Sequence, residues 1–106
     1  MTNQTQNRRL LMALDAKIKE VNRAIINPVL PELRLSDLTP MLEMTARARA
    51  DYLQAIYEIG HASTNNAVPS SEDIERLAGL RKVYQELVSA TQAFETAIER
   101  EYLDVE

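Results

Sequence analysis

The sequence contains no cysteine and no tryptophan, and only two glycines and one phenylalanine in 106 residues. Each shortage removes a class of function. Without cysteine there is neither a disulfide framework nor a thiolate metal site. Gly60 and Gly79 alone cannot form a glycine-rich loop that cradles phosphate. Few glycines and few aromatics also argue against an all-β fold. His61 is the single histidine, with no serine–acid arrangement around it, so nucleophilic catalysis lacks its ingredients. Lys17, Lys19 and Lys82 are the only lysines, and no Lys/Arg constellation surrounds a dianion as in small helical mutases. Long apolar runs are missing too. After Arg8 and Arg9 the apolar stretch lasts from Leu10 to Leu14 and stops at Asp15. That is too short for a signal-peptide core and far below the roughly 20 residues of a membrane span. The expectation is a soluble, unexported, cytoplasmic protein with no cofactor. Twelve basic and sixteen acidic side chains give a net charge of −4. A basic surplus for nucleic acid is therefore lacking, and one Phe offers little for base stacking.

What is present is helical periodicity, in three segments. The first runs from about Thr5 to Ile26. Its residues Leu11, Leu14, Ile18, Val21 and Ile25 step by three and four, as in a coiled-coil seam. Asp15 and Lys19 are spaced as an i,i+4 pair on its outer face. Asn27-Pro28 ends it, because the residue before proline avoids the α region. The second segment runs from about Asp37 to Gly60. Ser36, or Thr39 followed by Pro40, supplies its N-cap. Leu38, Leu42, Thr45, Ala46, Arg49, Leu53, Ile56 and Ile59 outline a broad face, with small residues at its centre. The third runs from about Ser71 to Leu103, capped by Ser70 or Ser71 with Glu72 and Asp73 in the first turn. Leu77, Leu80, Tyr84, Leu87, Thr91, Phe94 and Ile98 hold a heptad spacing. The chain thus reads as one all-α domain, a three-helix bundle protomer with a long C-terminal helix. Of the connectors, 63–70 is polar and reads as an exposed loop. Asn27–Leu35 is apolar and reads as folding over the end of the bundle.

Few side-chain groupings suggest chemistry. Glu58 and His61 form a Glu-x-x-His pair, the spacing that puts a carboxylate and an imidazole on one metal in helical di-iron sites. Such sites need two pairs and two further glutamates, so one chain supplies half. A helix-terminal histidine favoured by the macrodipole is the simpler reading of His61. Pro28-Val29-Leu30-Pro31 has the form PxxP, but Arg34 stands one place beyond the usual basic position, and a proline-punctuated loop suffices. Arg47 and Arg49 lie about 200° apart on a helix and cannot clamp one anion. Arg49 lies nearer the apolar face. Tyr84 falls on the third seam; Tyr52 and Tyr57, five apart, cannot share a face.

The expected helix lengths do not match. The first two helices span about 33 Å and 36 Å, whereas 71–103 spans about 50 Å. The overhang carries Phe94, Ile98, Tyr102 and Leu103, and apolar surface without cover marks an interface. Arg8 and Arg9 begin the first helix, while Glu99, Glu101, Asp104 and Glu106 crowd the end of the third. Both clusters oppose the helix macrodipole. An antiparallel homodimer would set basic N-termini against acidic C-termini. The sequence therefore predicts a non-enzymatic interaction protein, homodimeric or protein-binding. Its interface would comprise Phe94, Ile98, Tyr102, Leu103, Arg8 and Arg9. The alternative is an enzyme built at a dimer interface around Glu58 and His61.

Overall fold

The computed structural model describes residues 3–30, 32–62 and 68–106. Three α-helices follow one another: α1 (Asn3–Ile26), α2 (Leu35–Ala62) and α3 (Ser71–Glu99), with a 3₁₀ turn at Asn27–Val29 after α1. Among the described residues there is no strand, only an isolated parallel bridge between Leu33 and Val105. The all-α expectation holds. Among those residues, too, no helix is long and apolar enough to cross a membrane.

The helix ends follow local chemistry. Ser70 and Asp73 form a reciprocal capping box: the Asp73 N–H donates to Ser70 Oγ at 3.1 Å, and the Ser70 N–H donates to Asp73 Oδ2 at 3.3 Å. α2 begins at Leu35, before either expected cap, with Asp37 in its first turn and Pro40 inside it. At its other end α3 stops at Glu99, four residues short of the expected Leu103. The Tyr102 N–H donates to the Ala97 carbonyl at 2.8 Å, and the Glu101 N–H to that of Ile98 at 3.1 Å. These two bonds are those of a Schellman motif, and Glu101 sits at its left-handed position with φ 61°. Glycine is the usual residue there. A glutamate gives no stop signal, so the apolar spacing through Ile98 and Tyr102 reads as uninterrupted helix. At 28 and 29 residues, α2 and α3 are nearly equal in length, and the expected overhang does not exist.

The chain divides into two compact units, 36–93 and 1–35 with 94–106. In unit 36–93, α2 and most of α3 form an antiparallel hairpin. Arg49 meets Tyr84, whereas Glu58, further along α2, meets Arg76, earlier on α3. The inward positions of α2 are Leu38, Met41, Thr45, Ala48, Tyr52, Ala55 and Ile59, a heptad seam with Thr45, Ala48 and Ala55 buried. Those of α3 in this unit are Asp73, Leu77, Leu80, Tyr84, Leu87, Val88 and Thr91. Small residues on one helix accept large ones from the other, so the axes can approach closely. The expected face of α2 is therefore partly corrected. Leu42, Leu53 and Ile56 remain exposed, while Met41, Ala48, Tyr52 and Ala55 take the inward places.

In the other unit, the segment after α3 turns back and lies along α1 and the connector. Leu33 and Leu103 are buried, at 6% and 4% exposure. The Leu33 N–H donates to the Asp104 carbonyl at 2.9 Å, and the Glu106 N–H donates to the Leu33 carbonyl at 2.8 Å. Among its described residues the apolar connector thus contributes one buried residue, Leu33, while Val29 and Leu35 stay exposed. Within the PxxP stretch, Pro28 and Val29 lie in the 3₁₀ turn. Pro31, and 63–67 of the expected polar loop, lie outside the described residues.

Candidate interaction surface

The segment 100–106 is clasped to α1 by charge. Arg100 Nη2 donates to Asp15 Oδ1 at 2.8 Å, and Lys19 Nζ to Glu101 Oε2 at 3.0 Å. Arg23 reaches both the Glu101 carbonyl oxygen, at 2.8 Å, and the Asp104 carboxylate. The Asn27 side-chain oxygen accepts from the Asp104 N–H at 3.0 Å, and Arg34 pairs with Glu106. Asp15, Lys19 and Arg23 lie four apart and form one row on α1. The electrostatics follow from this row. Lys19 holds the Glu101 carboxyl below the usual carboxylate range, first by its hydrogen bond and then by its charge. Hydrogen bonds to Asp15 and Tyr102 hold the Arg100 guanidinium above its ordinary value. The expected Asp15–Lys19 pair is replaced by two long-range pairs. Of the four acids expected to seek another protomer's Arg8 and Arg9, Glu101, Asp104 and Glu106 have basic partners within the chain, and Glu99 has no ion pair among the described residues.

The sequence-predicted interface is thereby dispersed. Leu103 is buried, and Phe94, Ile98 and Tyr102 are half-buried; Arg8 and Arg9 are exposed on α1. Phe94 and Ile98 stand in the last turns of α3, whereas Tyr102 and Leu103 lie beyond its end at Glu99.

Open apolar surface remains on α2, at Leu42, Leu53 and Ile56, and more extensively on α1, where no residue is buried. Its seam residues are all exposed: Leu11 64%, Leu14 51%, Ile18 42%, Val21 45% and Ile25 64%. Leu10 borders them and is exposed as well. At 100° per residue, this seam and the row Asp15–Lys19–Arg23 occupy neighbouring faces, roughly a third of a turn apart. The C-terminal segment takes the charged row and leaves the apolar one. The heptad spacing of α1 carried this signal in the sequence.

The remaining candidates resolve into ordinary contacts. Glu58 pairs with Arg76 at 3.1 Å. His61 stacks on Tyr57 with ring centroids 4.0 Å apart, and its Nδ1 lies 3.1 Å from the Tyr57 carbonyl oxygen. Among the described residues, no three His, Asp or Glu side chains gather as a metal centre. Arg49 lies over the Tyr84 ring and donates to its hydroxyl at 3.0 Å. Tyr52 stacks near Tyr84, at 6.4 Å between centroids, while Tyr57 is the exposed one of the 52/57 pair. Arg47 and Asp51 border a shallow apolar groove of the hairpin floored by Met44, Ala48, Leu80, Val83 and Leu87. No family model matches the chain, and no curated protein or solved structure matches it either.

Proposed function

We propose that the chain is a non-enzymatic interaction protein, a three-helix protomer completed by another polypeptide along the seam of α1. The observation that carries this reading is the exposure of five seam residues on a helix with no buried residue. Isolated exposed leucines are ordinary. A continuous row at coiled-coil spacing is the surface a partner helix covers. The groupings that would have argued for chemistry, Glu58 with His61 above all, are engaged in an ion pair and a ring stack.

The test is site-specific photocrosslinking in cells. A benzophenone side chain replaces Leu14, Ile18 or Val21 on the seam, or Ala13, Ala16 or Glu20 off it. Protein adducts should arise from the three seam positions and not from the others. Equal yields from both faces, or none from the seam, would reject the reading.

A further inference from the structure

We infer that the polypeptide covering the α1 seam is a second copy of this chain, paired helix to helix through Leu11, Leu14, Ile18, Val21 and Ile25. This rests on the proposed interaction role and names its partner. Three observations select a like partner.

First, residue types fit. Ile18 and Ile25 fall at one heptad position, with Leu14 and Val21 at the other. β-Branched residues at the first position with Leu at the second favour two-stranded coils. Leu11 and Val21 are the departures from that ideal, and both remain apolar.

Second, the charges flanking the middle of the seam are settled within the chain. Asp15, beside the seam, is held by Arg100, and Lys17, on the other flank, pairs with Glu20 at 3.1 Å. Arg8, one heptad before Asp15 on the same flank, is exposed and has no ion pair among the described residues, so it is the stretch from Leu14 to Ile25 that meets a second apolar seam without an uncompensated charge.

Third, the area suffices. The five seam residues and Leu10 expose roughly 600 Å² per copy, so two copies would cover roughly 1,200 Å², the lower bound for stable specific interfaces.

The test uses the full chain, whose lack of cysteine makes single-cysteine variants unambiguous. Light scattering across micromolar concentrations should give twice the 12.0 kDa chain mass. Ile18→Glu should halve that mass while leaving the helical circular dichroism intact. Ala16→Glu, on the opposite face of α1, should leave the dimer unchanged. Oxidised Ile18→Cys should form a disulfide-linked dimer.

A dimer that survives Ile18→Glu and gives no Ile18→Cys cross-link would overturn the inference, since the copies would then meet elsewhere. A monomer whose Ile18→Cys thiol reacts rapidly with maleimide would also overturn it. That result leaves the interaction role standing with a different partner. A monomer whose thiol is protected would remove both, because the seam would then be covered within one chain.

Discussion

Leu103→Ala is the sharpest test of how the C-terminal segment is held. Leu103 retains 4% of its surface, so truncation to alanine removes three carbons from an almost closed site. Their transfer to water accounts for about 2 kcal/mol, at about 0.8 kcal/mol per buried CH₂. The vacated space adds to this, and buried Leu→Ala changes cost about 2–5 kcal/mol in all. A short segment lying along one helix relaxes more readily than a large core. The expected loss is therefore about 2–3 kcal/mol, in the lower half of that range. For a domain of this length the melting temperature should fall by roughly 10 °C. Val105, two residues on, pairs its backbone with Leu33 but exposes about half of its side chain. Val105→Ala should cost under about 1 kcal/mol, since a smaller group loses less burial. Urea and thermal melts by circular dichroism give the two stabilities. Limited proteolysis, with cleavage after Arg100 resolved by mass, reports release of the segment. The reasoning fails if the two variants are equally mild and cleavage is unchanged, because Leu103 would then not anchor the tail.

Three further outcomes follow from the geometry. Ala55 is fully buried at the seam of the α2–α3 hairpin, so Ala55→Leu should overpack it and cost about 1–3 kcal/mol in chemical denaturation. Ser70→Ala removes the hydroxyl that caps α3 and should cost about 1 kcal/mol, with amide exchange rising first at Asp73 and Ile74. The Glu101 carboxyl is lowered by Lys19, so its stabilising contribution is complete above its unfolded value of about 4.3 and is lost as pH falls through the lower folded value. Amide protection of Tyr102–Glu106, corrected for intrinsic exchange, should hold from neutral pH to about 5 and decline below about 4. In Lys19→Met protection should be lower at neutral pH and the decline on acidification should shrink, because the folded carboxyl is no longer lowered by Lys19; an unchanged profile would show that the Lys19–Glu101 pair does not hold the tail.

Much of the fold was legible in the sequence because helices are local. The α1 seam, the Asn27-Pro28 stop, the Ser70 cap and the α3 heptad all arise from residues within one or two turns of each other. The inward face of α2 was less legible. Leu42, Leu53 and Ile56 are the larger apolar residues, yet the buried places go to Thr45, Ala48 and Ala55. Hydrophobicity ranks residues singly, whereas two helices select the face that lets large side chains sit against small ones. The candidate site was half legible for a similar reason. Heptad spacing identified the α1 seam, but spacing cannot say which of several apolar faces stays uncovered.

The end of α3 marks the division between sequence and tertiary structure. By itself the sequence determined three helices, the caps that start α3, and a chemistry-poor composition without cysteine or phosphate loop. These depend on neighbours in the chain. Only the tertiary structure decided that the chain leaves the helix at Glu101 without a glycine, buries Leu103 beside Leu33, and pairs Glu101, Asp104 and Glu106 with Lys19, Arg23 and Arg34. Those contacts join residues some seventy to eighty positions apart, and no local propensity encodes them. They bury or half-bury the apolar residues near the C-terminus, while the seam of α1 stays exposed. Burial is a property of what packs against a side chain, which the side chain alone does not specify.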